Sequence, residues 1–84
     1  MPYVVYLKKS AEKELDCLPK KIHETLVRRI ISLRDNPRPS GAKRLQRREE
    51  YRIRVGSYRV LYIIHDKENK IEIASVAHRK EVYR

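Results

Sequence analysis

The sequence contains neither phenylalanine nor tryptophan, and it has only two glycines and one cysteine in 84 residues. A hydrophobic core must therefore come from leucine, isoleucine, valine and the six tyrosines. The lone Cys17 excludes an internal disulfide, and without a cysteine and histidine cluster a structural zinc site is not expected. No apolar run approaches the ~20 residues of a membrane-spanning helix, and no signal peptide is visible. The sequence thus predicts one cytoplasmic domain over residues 1–84, with no membrane partner.

Acidic residues are scarce as well. The chain carries 21 lysines and arginines against 11 aspartates and glutamates, which gives a formal net charge of +10. Solubility alone requires a net charge of only about 2–8 in a small domain. The excess is concentrated from Arg38 to Arg59, where eight basic residues face only Glu49 and Glu50. This charge distribution favours a polyanionic ligand, and a nucleic acid above all.

The apolar periodicity indicates an α+β domain of the order β-α-α-β-β-β. We expect the N-terminal strand and the αα-hairpin to pack on one face of a small, mostly antiparallel sheet, with five tyrosines in the core: Tyr3, Tyr6, Tyr51, Tyr58 and Tyr62. The predicted elements are a strand over residues 2–7, a helix with Ser10 as its N-cap, a helix over residues 20–35, a loop over residues 36–50, a hairpin over residues 51–65 and a strand over residues 70–77.

The clearest local pattern is the hairpin around Gly56-Ser57. Its two strands alternate apolar and polar residues with period two, and a glycine in the first position of a two-residue loop suits a type II′ turn. This register places Arg54 directly opposite Arg59 and puts Arg52 on the same face, away from the core. Like charges in directly opposite positions destabilise a sheet. A bound polyanion therefore explains these arginines better than folding does.

Together these segments resemble the RelE/ParE superfamily of bacterial and archaeal toxins, over almost the whole chain. The motifs that carry the resemblance are Leu18-Pro19-Lys20, Asn36-Pro37-Arg38-Pro39, Lys43-Arg44-Leu45, Tyr51-Arg52-Ile53-Arg54-Val55, Tyr58-Arg59-Val60-Leu61-Tyr62 and His78-Arg79-Lys80-Glu81-Val82-Tyr83. The resemblance implies the toxin of a toxin–antitoxin pair, acting as a ribosome-dependent endoribonuclease that cuts mRNA in the ribosomal A site. Its implied partners are mRNA and ribosomal RNA in that site and a cognate acidic, RelB-like antitoxin in a hetero-oligomer. No carboxylate cluster lies near the motifs, so we expect neither a metal nor a cofactor.

The resemblance also implies a catalytic set: Arg52, Arg54, Arg59, Arg79 and Tyr83. Arg52 and Arg54 stand where RelE toxins often have lysines, and arginine is a poor base because its pKa exceeds ~12. We therefore expect Arg59 and Arg79 to contact the scissile phosphate, Arg52 and Arg54 to bind RNA, and Tyr83 to orient or deprotonate the attacking 2′-hydroxyl.

Proton transfer has a second candidate in His78, which titrates nearer neutrality than tyrosine does. Against this role, His78 adjoins Arg79, and neighbours on a strand point to opposite faces. Four further basic residues are predicted to contact RNA: Lys43, Arg44, Arg47 and Arg48.

Two other functions remain open on the sequence. ParE-like relatives share the fold but inhibit DNA gyrase by binding, and such a protein would not depend on the Arg59 and Arg79 side chains. A non-catalytic RNA-binding module is the other alternative, and the replacement of both lysines by arginine is compatible with it.

Overall fold

The computed structural model describes residues 2–45 and 50–78, which form an α+β domain with two helices and a five-stranded sheet. The predicted fold class and order of elements are confirmed, with one short strand added. None of the helices in the described part of the chain is long and apolar enough to cross a membrane. The elements are β1 (Val4–Leu7), α1 (Lys9–Asp16), α2 (Lys20–Ser32), β2 (Lys43–Arg44), β3 (Glu50–Val55), β4 (Tyr58–His65), a 3₁₀ turn (Asp66–Glu68) and β5 (Lys70–His78).

The strands lie in the order β1-β5-β4-β3-β2, so β1 and β2 form the two edges. Strand β1 runs parallel to β5, and the other neighbours are antiparallel. Both helices cover one face of the sheet. The core that they share with it consists of Ala11, Leu15, Leu26, Ile30, Leu33, Tyr51, Ile53, Val60, Tyr62, Ile64, Ile71, Ile73 and Val76.

The β3–β4 hairpin has the register that the sequence predicts. Val55 pairs with Tyr58 and Arg54 with Arg59, across a turn in which Gly56 has a φ of 61°. A positive φ at the first central residue, with none at Ser57, is the combination that a type II′ turn requires. The turn therefore fixes which residues of the two strands face the helices and which face away from them.

Two helix boundaries, one burial prediction and the start of β1, which begins at Val4 and not at residue 2, are wrong. Helix α1 begins at Lys9, ahead of the predicted cap Ser10. Lys8 ends the strand by donating its N–H to the Ile73 carbonyl, and its own carbonyl accepts from the Glu12 N–H in the first helical turn. Helix α2 ends at Ser32, since the next three N–H groups bond carbonyls three residues back and tighten the chain into a turn. Tyr6 is 52% exposed, because β1 places it on the face without helices.

The predicted loop over residues 36–50 contains strand β2, which was missed. Its two residues pair with β3, Lys43 opposite Arg52 and Arg44 opposite Tyr51. A two-residue strand is too short to show the alternation on which strand prediction depends.

A hydrogen-bonded cluster fixes the start of this loop on the sheet. Arg38 donates to the Tyr51 hydroxyl at 2.9 Å and to the carboxylate of Asp66 at 2.8 Å, and Tyr3 donates to the same carboxylate at 2.7 Å. Tyr62 donates to the carbonyl of Pro37 at 2.7 Å. These contacts join three segments: the residues before β1, the loop before β2 and the 3₁₀ turn. They hold the chain at Arg38, five residues before Lys43.

Alkaline titration should identify Tyr62. Burial raises the pKa of Tyr62 to about 12, from an ordinary value of 10.0. Because the folded pKa is the higher one, this contribution to stability is complete below pH 10.0 and is lost as the pH rises to about 12. Tyrosinate absorbance should show one late step that is absent in Tyr62→Phe, and loss of a step near the ordinary pKa instead would contradict the assignment. At neutral pH the variant should lose about 1 kcal/mol of unfolding free energy with the hydrogen bond to Pro37.

Acid should weaken the Arg38–Asp66 contact. The hydrogen bond from Arg38, and next the one from Tyr3, lower the pKa of Asp66 from its ordinary 3.8. Its contribution is therefore present above pH 3.8 and is lost as the pH falls through the lower folded pKa. Urea unfolding should show Asp66→Asn to be less stable than the native protein at neutral pH and equal to it in strong acid. Asp35→Asn, which removes an exposed carboxylate elsewhere, should show no such convergence; a constant gap for Asp66→Asn at every pH would contradict the account.

Candidate nucleic-acid interface

The face of the sheet that the helices leave uncovered carries a row of cations. Directly paired residues lie on the same face of a sheet, and the register pairs Lys43 with Arg52 and Arg54 with Arg59. These four residues (Lys43, Arg52, Arg54 and Arg59) are called the basic face below. Sequence reasoning placed the three arginines together, and the structure confirms that arrangement and adds Lys43.

The members of the basic face differ in exposure. Arg54 and Lys43 are exposed and Arg52 is half-buried, whereas Arg59 retains only 3% of its accessible surface. Arg59 is also the only charged residue among the buried side chains of the described part of the chain. Because few rotamers fit a buried site, Arg59 has the most restricted guanidinium of the three arginines, and the exposed Arg54 has the least restricted one.

Like charges stand directly opposite each other on this face, and such pairs disfavour strand pairing. Both direct pairs join like charges, and in the described strands no carboxylate stands directly opposite Arg52, Arg54 or Arg59. The ion pairs near the 3₁₀ turn lie at the far end of the hairpin from Gly56, namely Arg38–Asp66, Lys70–Glu68 and His65–Glu72. A bound phosphate would relieve the repulsion, and the planar guanidinium offers two parallel donors to its oxygens.

His78 and Arg44 lie on the other face of the sheet. His78 pairs with Tyr58, and the two rings meet edge to face at 5.2 Å beside α1. Arg44 pairs with Tyr51, which is in the core, so its side chain starts from the helix-covered face. The structure therefore brings neither residue to the basic face, and the roles predicted for them remain predictions.

Four predicted residues lie outside the described part of the chain. They are Arg47 and Arg48, predicted to contact RNA, and Arg79 and Tyr83, predicted to act in catalysis. Strand β5 ends at His78, one residue before Arg79. The assignments of these four residues remain predictions.

Two residues that support the site were missed by sequence reasoning. Arg38 clamps the loop that leads into β2, and Glu14 of α1 accepts a hydrogen bond from the Val76 N–H at 2.8 Å. For Arg38 the only signal was a possible ion pair with Asp66, 28 residues away. Glu14 lies on α1 next to the buried Leu15, and its own partial burial is a feature that helical periodicity alone does not reveal.

Metal ligands are not grouped in the described residues: no set of three or more histidine, cysteine, aspartate or glutamate side chains there could hold a metal ion. The basic face supplies permanent cations, and what it can offer a substrate is phosphate binding and stabilisation of negative charge.

Comparison with known proteins agrees with the geometry. Residues 5–83 match the model of the ParE toxin family of type II toxin–antitoxin systems. Toxin RelE of Mycobacterium tuberculosis is 36% identical to the chain, over 99% of this chain and 88% of that toxin.

Solved structures give the same result. The RelBE2 toxin–antitoxin complex of Mycobacterium tuberculosis matches with a TM-score of 0.83 and 32% identity, over 94% of this chain and all (100%) of that one. The archaeal RelE–RelB complex of Pyrococcus horikoshii matches with a TM-score of 0.81 and 28% identity, over 94% of this chain and 97% of that one. The chain therefore belongs to the RelE/ParE family of type II toxins and is RelE-like within it.

Proposed function

We propose that this toxin is a ribosome-dependent endoribonuclease that cuts mRNA in the ribosomal A site. The observation that carries the proposal is the direct pairing of Arg54 with Arg59 on the face free of helices. A folded protein tolerates such a like-charge pair at a cost, and a phosphate backbone passing between the two side chains would turn this cost into binding energy. The match to RelE toxins supports the same conclusion.

In the proposed reaction a ribose 2′-oxygen attacks the adjacent phosphorus. The bond from that oxygen to phosphorus forms, the bond to the 5′-oxygen of the next nucleotide breaks, and the products are a cyclic 2′,3′-phosphate and a 5′-hydroxyl. One proton leaves the 2′-hydroxyl and one reaches the 5′-oxygen. The protein must therefore align the attack, stabilise charge on the phosphate and transfer protons.

The proposed roles follow the chemistry of each side chain. Arg59, restricted by burial, and Arg79 contact the scissile phosphate, while Arg52 and Arg54 bind the RNA on either side of it. Arginine keeps its proton at physiological pH, so it serves charge stabilisation and not base catalysis. Tyr83 orients or deprotonates the nucleophile, a role that nearby cations would assist by favouring the phenolate. His78 lies on the opposite face of the sheet from Arg59, which favours Tyr83 over His78 in this role.

An acidic antitoxin is the proposed protein partner. The solved relatives from Mycobacterium tuberculosis and Pyrococcus horikoshii are toxin–antitoxin complexes. With a net charge of +10 the chain should attract an acidic partner, and the basic face offers the same cations to carboxylates as to phosphates. Binding there would exclude RNA and silence the toxin, within a toxin–antitoxin hetero-oligomer.

A second candidate function is gyrase inhibition through binding. It is favoured by the family model itself, which describes ParE toxins. The two functions differ in their dependence on the arginines, because a toxin that only binds gyrase cuts no RNA and does not need the Arg79 side chain.

Primer extension on a translated message should decide between them. Wild-type toxin should produce cuts within A-site codons, and Arg79→Ala should lower the cutting rate by about 100- to 1000-fold, as expected when one charge-stabilising donor is removed. Lys67→Ala, which removes a cation from the exposed 3₁₀ turn, should cut like the wild type. Growth arrest without any cuts would contradict the nuclease proposal and support gyrase inhibition. Binding of RNA with neither cuts nor arrest would indicate a non-catalytic module.

The Arg54–Arg59 pair should also trade stability for function. Arg54→Gln removes one of two directly opposed charges and should raise the unfolding free energy by about 0.2–1 kcal/mol at low salt. This gain should shrink at high salt, because salt screens the repulsion that the substitution removes. The variant should also cut RNA more slowly than the wild type. Lys67→Gln, with the same change in charge, should give no comparable gain. Urea unfolding at two salt concentrations measures the gain in stability and its dependence on salt. An Arg54→Gln variant that is less stable than the native protein at low salt would contradict the account.

A further inference from the structure

Strand β5 contains a one-residue bulge. Leu61 of β4 pairs with Ser75, but the next residue, Tyr62, pairs with Ile73, so Ala74 has no partner of its own. On either side of this point the antiparallel pairing is regular. A bulge of this kind inserts one extra residue into a strand and shifts the alternation of its side chains.

The bulge decides which residues of β5 share a face with the arginines. Before it, Ile71 and Ile73 point into the core; after it, Val76 is in the core and Ala77 pairs with Arg59. In a regular strand without the bulge, residue 77 would lie on the same face as Ile71 and Ile73, which is the face that the helices cover.

Glu14 of α1 is bonded to the strand just beyond the bulge. Its carboxylate accepts from the Val76 N–H at 2.8 Å and lies 3.5 Å from the Ser75 hydroxyl, which donates to it. Strand β1 covers the same edge of β5 only as far as the pairing of Leu7 with Ile73. Glu14 therefore replaces a neighbouring strand as the acceptor for Val76, where a buried N–H would otherwise remain unsatisfied.

We propose that Glu14 is a positioning residue, which holds the β5 bulge and so keeps Ala77 paired with Arg59 on the basic face. The carboxylate does not contact RNA. It acts by fixing which face of the sheet the β5 residues after the bulge occupy. The inference rests on the proposed nuclease function, in which Arg59 contacts the scissile phosphate. It goes beyond that function by making a helix on the opposite face of the sheet necessary for catalysis.

Three variants at one position, with one control, test the proposal. Glu14→Gln keeps an oxygen that can accept from Val76, whereas Glu14→Asp is one methylene shorter and Glu14→Ala has no acceptor. Glu12→Ala removes the same charge from an exposed position of α1. Two measurements are made on each: single-turnover cutting of mRNA on programmed ribosomes, and cross-strand nuclear Overhauser contacts between Arg59 and Ala77 with hydrogen exchange at Val76.

The proposal predicts a specific pattern. Glu14→Gln and Glu12→Ala should cut at close to the wild-type rate, and Glu14→Ala should cut about 10- to 100-fold more slowly at saturating toxin, as expected for a misplaced catalytic group. The toxin concentration for half-maximal rate should change little, since RNA-binding residues are untouched. Glu14→Ala should also lose the protection of Val76 and the contacts between Arg59 and Ala77. Glu14→Asp should be intermediate in both measurements.

The proposal would be overturned if Glu14→Ala folds, loses the protection of Val76 and still cuts like the wild type. If Glu14→Ala does not fold, the same result with a folded Glu14→Asp would overturn it. Slow cutting with intact contacts between Arg59 and Ala77 would overturn it too. If the wild type cuts no message, the nuclease function fails, but the Overhauser and exchange measurements still decide whether Glu14 holds the bulge.

Discussion

The pairing of β3 with β4 is the constraint on which the core and the basic face both depend. A shift of one residue would move every side chain of a strand to the other face. The turn at Gly56, with its φ of 61°, excludes that shift by fixing Val55 opposite Tyr58. The same register that buries Ile53 against Val60 must then pair Arg54 with Arg59 on the outside. Stability of the core and repulsion on the outer face are consequences of one register.

The basic face is held from the covered side of the sheet. At one edge, Arg38 bonds both Tyr51 and Asp66 and so anchors the loop that brings Lys43 to Arg52. At the other end of the same face, α1 reaches β5 through the carboxylate of Glu14. The residues that bind phosphate in our proposal can thus repel one another without unfolding, because their strands are bonded to helices and loops elsewhere. In the proposed function the site must remain cationic until RNA or an antitoxin covers it, and this arrangement allows that.

Much of this could be predicted from the sequence, and the exceptions have physical reasons. The register of the hairpin was predicted to the residue because turn chemistry and alternation agree there. Strand β2 was missed because it has two residues, and Tyr6 was placed in the core because propensity does not tell an edge strand from a central one.

The bulge at Ala74 was missed although the sequence contains a sign of it. The spacing of the buried residues of β5 changes from two, between Ile71 and Ile73, to three, between Ile73 and Val76. Two residues is the period of a regular strand, so a step of three indicates an inserted residue. The contact of Glu14 with Val76, by contrast, depends on how α1 packs, and local sequence carries no signal for it.

The most direct test of the account uses the substrate. Ribosomes are programmed with a message whose A-site codon carries a single 2′-deoxyribose at the position of the cut, and with an all-ribose message as the control. The account predicts that the toxin cuts the control to a 2′,3′-cyclic phosphate and leaves the substituted bond intact, because the attacking oxygen has been removed. Cutting of the substituted bond at the control rate would show that another nucleophile attacks, and would contradict a mechanism in which the basic face stabilises a 2′-oxygen attack on phosphate.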